Sequence, residues 1–184
     1  MNEQLRRVVQ FFYDPAPVMQ DTKEAIWLLG VPYDPEDSSS WSEQESRGWP
    51  SSFLEDFESR IYCSYRKNFA LIKAADQNLL KPSGILSRVR GSSYELQGFT
   101  SDAGWGCMIR TAQSLLANCI LHLDLGRDWR LRDGKQQDNR IVSLFADEEI
   151  APFSIHAFVS HGDAACGKHP GEWFGPSAAV NCIQ

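Results

Sequence analysis

Cys107 stands in the run Asp102-Ala103-Gly104-Trp105-Gly106-Cys107-Met108, and its surroundings suit a nucleophile. An apolar pattern of helical period begins directly after it, which predicts that the thiol opens a long, half-buried helix. At such a place the free amides and the positive end of the helix dipole favour a thiolate, the form that attacks a carbonyl carbon. Gly104 and Gly106 let a substrate backbone approach closely and leave an amide free to face an oxyanion. Gly104, Trp105 and Gly106 are therefore the candidate substrate-binding residues around the nucleophile. The same spacing also fits a small buried thiol at a helix start, with no chemistry at all.

A thiolate that cleaves an amide needs a base and an acid. The histidines available are His122, His156, His161 and His169. His122 lies roughly four turns down the predicted helix, too far from Cys107. The other three cannot be placed from their positions in the chain. His161, Cys166, His169 and Cys182 include a Cys-x-x-His pair, and these residue types bind zinc. Their spacing fits no common zinc module, so neither a metal nor any other cofactor is expected.

Stepping outward to the elements, Met108, Ala112, Leu115, Leu116, Cys119, Ile120 and Leu123 line one predicted helix face, which places Cys119 toward the core. Gly126 is the expected stop, and Ser101 or Asp102 the cap of the turn leading in. Phe53, Leu54, Phe57 and Ile61 predict an earlier helix, with Ser51 or Ser52 as N-cap, Glu55 in a near capping box, and a face continuing through Tyr65 and Phe69. Residues 25–33 read as a strand or buried turn, stopped at Gly30 and Pro32. Residues 141–145 form a second apolar element. Pro152 to Val159 reads as a helix start or a strand, Gly162 to Pro176 as a glycine-rich loop, and a new helix begins at Ser177. Leu5, Val8, Val9 and Phe12 make a short apolar helix face, for docking on the domain or on a partner or membrane surface. The expected organisation is an N-terminal extension over 1–24 and one domain over 25–184, with loop insertions near 34–52 and 81–98.

The 184 residues are 42% hydrophobic and 23% charged, ordinary globular usage that excludes a disordered or fibrous chain. Eighteen basic residues against 24 acidic ones, a net charge of −6, argue against nucleic acid as a partner. Five cysteines, an odd number, do not suggest a disulfide scaffold and suit a reducing compartment. The apolar stretch Val8 to Phe12 is too short for a signal segment. A cytoplasmic protein is the expectation.

Several blocks in order resemble the autophagins, the cysteine proteases of autophagy. They are Trp27-Leu28-Leu29-Gly30 with Tyr33, Ser59 to Phe69 with its Tyr65-Arg66-Lys67-Asn68-Phe69 core, Phe99 to Arg110, Leu125 to Arg130, and Gly171 to Ser177. The serine-rich padding and the stretch from Ser154 to His161 are fungal in style. The resemblance implies a papain-like α/β (α+β) fold. It implies Cys107 as nucleophile, Tyr65 beside it as an oxyanion donor, and Trp173 lining the narrow groove over the thiol. Without the resemblance, Tyr65 reads as a core aromatic and Trp173 as loop packing. The implied activity is cleavage of a ubiquitin-like autophagy modifier after a glycine and its release from phosphatidylethanolamine. The implied partners are the modifier precursor and its lipid-conjugated form, with transient contact to autophagic membranes. The nucleus and the pre-autophagosomal structure are further implied locations.

One departure matters. The family's catalytic aspartate and histidine lie in an Asp-Pro-His motif downstream of the tryptophan block. Here Asp14-Pro15 and Asp34-Pro35 are followed by Ala16 and Glu36. The expectation is the N-terminal half of a catalytic domain, incomplete at its C-terminal side and inactive alone. The alternative is an inactive fragment that keeps only modifier-binding surface.

Overall fold

The computed structural model describes residues 24–35, 49–74, 98–131 and 139–183. The predicted helix over 4–13 and most of the 34–52 and 81–98 insertions lie outside the described residues. The chain divides into two units, one of residues up to Arg60 with Arg130–Arg132, the other of the remainder.

In the first unit, β1 (Ile26–Leu28) and β2 (Val31–Tyr33) pair antiparallel, with Leu28 opposite Val31. Leu29 (φ 48) and Gly30 (φ 82) form the two-residue turn, in the left-handed conformation that matches the strand twist. The strand-or-turn segment is thus a hairpin, and Pro32 sits inside β2 rather than ending it. Helix α1 (Ser51–Glu58) begins at Pro50, with no side-chain cap. The expected capping box is absent, and the helix ends before Ile61. Its fully buried residue is Asp56, not an aromatic. That carboxylate accepts the Tyr33 hydroxyl and pairs with Arg60 at 2.6 Å and Arg130 at 3.1 Å. Phe57 stays 56% exposed. The hydrogen-bonded charge takes the inner position because its partners satisfy it there.

In the second unit, β3 (Lys67–Lys73) pairs antiparallel with β4 (Gly98–Ser101). The register is irregular between Lys67 and Ile72, where Asn68 has a φ of 67. Tyr65 and Phe69 therefore do not extend a helix; they flank the start of a strand. Four helices follow: α2 (Cys107–Leu125), α3 (Asn139–Ser143), α4 (Ile155–Cys166) and α5 (Pro176–Asn181). Helix α2 ends at Gly126 (φ 85) as expected. The 141–145 element and the Pro152–Val159 segment are both helical, the latter capped by the Ser154 hydroxyl on the Ala157 amide at 3.1 Å.

Helix α2 threads two apolar clusters. Ile109 and Ala112 join Phe69, Trp105, Phe158 and Phe174 in the first; Ala117 and Leu121 join Ile141 and Phe145 in the second. The predicted face is out of phase. Of its seven members Ala112 is buried and Met108, Leu116 and Ile120 are half-buried against the two clusters, while Leu115 is 60% and Leu123 83% exposed. Cys119 is exposed rather than facing the core. Gly162 lies inside α4, so the glycine-rich loop starts only at Gly167, which carries the left-handed cap (φ 60).

Candidate active site

The position of Cys107 begins with a tight turn. The Asp102 carbonyl accepts the amides of Trp105 at 3.1 Å and Gly106 at 2.8 Å, and the Ser101 hydroxyl accepts the Ala103 amide at 3.3 Å. Gly104 takes a φ of 97, open to glycine at little cost. Gly106 is the residue before the helix, and a Cβ there would lie 2.6 Å from the Asp102 Cβ. Its need for glycine is close packing within the turn, not only room for a substrate. Cys107 is then the first residue of α2 and is exposed.

Trp105 points elsewhere. It is 5% exposed, its indole N–H donates to the Ser101 carbonyl at 3.0 Å, and its ring packs on Phe99. Its side chain belongs to the core, so only its backbone faces the turn. Trp173 is 70% exposed, and its indole N–H donates to the Gly104 carbonyl at 2.5 Å. The residue from the tryptophan block is thereby brought onto the nucleophile's turn.

Tyr65 comes from a segment without regular structure. Residues 61–66 are tied along α2 by its polar side chains. Asn118 accepts the Ile61 amide at 3.0 Å and donates to the Ile61 carbonyl at 2.8 Å, and the Ser114 hydroxyl accepts the Cys63 amide at 2.9 Å. The Arg66 amide reaches the Asp102 carboxylate at 2.7 Å. The result leaves the Tyr65 side chain 52% exposed, within electrostatic reach of Cys107. Local desolvation, then the charge and hydrogen bonding of the Cys107 sulfur, push the Tyr65 phenol up; Asp102 and Tyr62 add to this. Cys63, one residue before Ser64, is buried, and burial pushes its thiol up against the opposing pull of Arg66.

Beneath the turn lies a charged cluster that spacing alone had not marked. Asp102 is fully buried and accepts Arg110 Nε at 2.7 Å. Arg110, 2% exposed, also bonds Gln113 at 2.9 Å and Asp147 at 2.8 Å. Arg66 bonds the same Asp147 at 3.2 Å and the Phe145 carbonyl at 3.1 Å. Burial opposes the charge on Arg110, but the hydrogen bonds and charges of Asp147 and Asp102 outweigh it and hold the guanidinium more firmly protonated than usual. One polar cluster therefore fixes both the turn that carries Cys107 and the segment that carries Tyr65. The signal for it was Arg110 and Gln113 at the third and sixth positions after the cysteine, interrupting an apolar pattern.

The histidines stand apart from this site. His122 sits in the last turn of α2. His156 sets its ring edge-on to Phe69, and His169 pairs with Asp163 at 2.5 Å. His161 lies with Cys166 and Cys182.

The peptidase C54 catalytic domain family matches residues 50–184, a span that includes Tyr65, Cys107 and Trp173. The chain belongs to the peptidase C54 family. Its helices and two small sheets are the mixed α/β, papain-like fold of peptidase C54, in part. Among curated proteins it is 44% identical to the probable cysteine protease atg4 of Aspergillus oryzae, over 97% of this chain and 50% of that protein. It is 45% identical to the cysteine protease atg4 of Emericella nidulans, over 97% of this chain and 48% of that protein. It is 42% identical to the probable cysteine protease atg4 of Sclerotinia sclerotiorum, over 97% of this chain and 52% of that protein. The chain spans about half the length of the curated relatives it matches. Each of these relatives carries the name cysteine protease, for two of them as a probable one.

Proposed function

We propose that this chain carries the nucleophile of a cytoplasmic cysteine endopeptidase that cuts a ubiquitin-like autophagy modifier after a glycine, and that also releases the modifier from phosphatidylethanolamine. The observation that carries the reading is an exposed Cys107 at the N-terminus of α2, with the Trp173 indole bonded to the Gly104 carbonyl of the turn before it. In this reading the Cys107 thiolate attacks the glycine carbonyl. The first amides of α2, which have no acceptor within the helix, and the Tyr65 hydroxyl donate to the developing oxyanion. The tetrahedral intermediate collapses to a thioester and expels an amine, either the tail peptide or the lipid's ethanolamine nitrogen. Water then releases the modifier.

The proton for the leaving amine comes, in this reading, from the histidine of the family's Asp-Pro-His motif, which does not occur in these 184 residues. Trp173, held on the Gly104 carbonyl, walls a slot that admits glycine and rejects a side chain. In this reading contact with autophagic membranes is transient and made through the lipid-conjugated modifier. Among the described residues no helix is long and apolar enough to cross a membrane.

The test is Cys107→Ser in the full-length natural protein. Cleavage of a modifier precursor and of the lipid-conjugated form should both vanish, and retained turnover in either assay would overturn the assignment. A second reading, a fragment that binds the modifier without cutting it, is favoured by the contacts of the described histidines, none of which involves Cys107.

A further inference from the structure

A second group of reactive side chains gathers between α4 and α5, and nothing in the proteolytic reading uses it. His161 and Cys166 belong to α4, and Cys182 closes the C-terminus of α5. The imidazole and the two sulfurs lie within 4.8 Å of one another. Two α4 residues five apart do not share a face of a straight helix. They meet here because Cys166 is the last helical residue, directly before the left-handed Gly167, and because Cys182 comes across from α5. His161 is exposed and both cysteines are half-buried, so the cluster opens to solvent. His169, three residues past Cys166, is not part of it; its ring pairs with Asp163.

The sulfurs have little other employment. Cys166 Sγ lies 3.8 Å from the Ala178 carbonyl, and Cys182 Sγ 3.6 Å from the Phe158 carbonyl. Thiols are weak donors, so these contacts hold the sulfurs in place at small energy. Two thiols and an imidazole, converging from two helices with one open side, are the donor set of a borderline-soft cation.

We propose that His161, Cys166 and Cys182 bind one zinc ion, with water in the fourth position. Zinc takes sulfur at about 2.3 Å and nitrogen at about 2.0–2.1 Å, which puts ligand atoms of a tetrahedral site about 3.5–3.8 Å apart. The cluster reaches that spacing from within 4.8 Å by side-chain rotation. On binding, two S–H protons pass to solvent and two thiolate–metal bonds form, with no change of oxidation state. Thiolate ligands select against magnesium and calcium. The ion joins the end of α4 to the end of α5. The segment between those helices carries Trp173, whose indole rests on the Gly104 carbonyl. The metal therefore anchors both flanks of the residue that walls the substrate slot.

The experiment uses the full-length natural protein, reduced and free of metal-binding tags. It is titrated with Co2+ as a spectroscopic probe and then with Zn2+, with Mg2+ as control. Wild type should take up one equivalent of Co2+ with thiolate charge-transfer absorption, and Zn2+ should displace it and raise the melting temperature. The Cys166→Ser, Cys182→Ser double variant should lose that equivalent and the melting shift. His161→Ala, at an exposed position, should weaken binding by at least about tenfold, the scale seen when even an outer partner of a ligand is lost. An unchanged cobalt spectrum and stoichiometry in the double variant would overturn the proposal. So would a reduced wild-type protein that takes up no Co2+ and, in air, yields only a Cys166–Cys182 disulfide by peptide mapping. If near-ultraviolet circular dichroism shows the double variant unfolded, His161→Ala decides, and unaltered affinity there counts against the site.

Discussion

Tyr65 and Cys107 lie 42 positions apart in the chain, and the charge of the Cys107 sulfur acts on the Tyr65 phenol. A core aromatic would have a buried ring; Tyr65 is half-exposed. In the full-length enzyme Tyr65→Phe should lower kcat by roughly 10- to 1000-fold with KM little changed, the scale of losing one oxyanion donor. Unchanged turnover with a lowered melting temperature would return the residue to a packing role. Arg110 acts on the same pair from beneath. It is held between buried Asp102 and Asp147, so Arg110→Met leaves the Asp102 carboxylate buried without its cation. Breaking a buried pair from one side costs about 3–5 kcal/mol. Urea denaturation of the variant should show a loss of that size, and one below about 1 kcal/mol would mean that Asp102 finds another partner.

At the scale of elements, α2 and α4 both depart from simple hydrophobic phasing. Helix α2 spends two of its inward positions on Arg110 and Gln113, which the cluster satisfies, and leaves Leu115 and Leu123 outside. Helix α4 keeps a glycine in its middle. A glycine-to-alanine change inside a helix ordinarily gains up to about 1 kcal/mol from propensity. At Gly162 the new methyl would meet Phe174 Cζ at 2.4 Å and Cε1 at 2.6 Å. Phe174 is 4% exposed and cannot swing aside. Overpacking costs typically about 1–3 kcal/mol, so Gly162→Ala should destabilise despite its better propensity. Calorimetry of the two proteins checks the sign; a raised melting temperature would show that the ring gives way.

For the whole molecule the issue is which group serves Cys107 as a base. The site supplies an exposed thiol, a phenol and free amides, and no hydrogen bond joins a described histidine to Cys107. Residues 1–184 expressed alone should therefore leave a modifier precursor uncut, while the full-length protein cleaves it. Product formation by the 184-residue chain at a rate comparable with the full-length protein would require one of His156, His161 or His169 to reach Cys107.

Some of this was legible in the amino-acid order. Gly-Trp-Gly-Cys ahead of a helical period located Cys107 at a helix start, where the first amides are left open. Gly126 was readable as a stop because end effects depend on a residue and its immediate neighbours. The family resemblance named Tyr65 and Trp173, but no local pattern brought either to the thiol. That required residues 61–66 to lie along Ser114 and Asn118, and the Trp173 indole to find the Gly104 carbonyl. The phase of α2 was misread for the same reason. An apolar pattern counts side chains by type, whereas burial of Arg110, Gln113 and Asp102 depends on partners such as Asp147, distant in the chain. Only the tertiary structure could decide these, because a buried charge is stable or ruinous according to what stands opposite it.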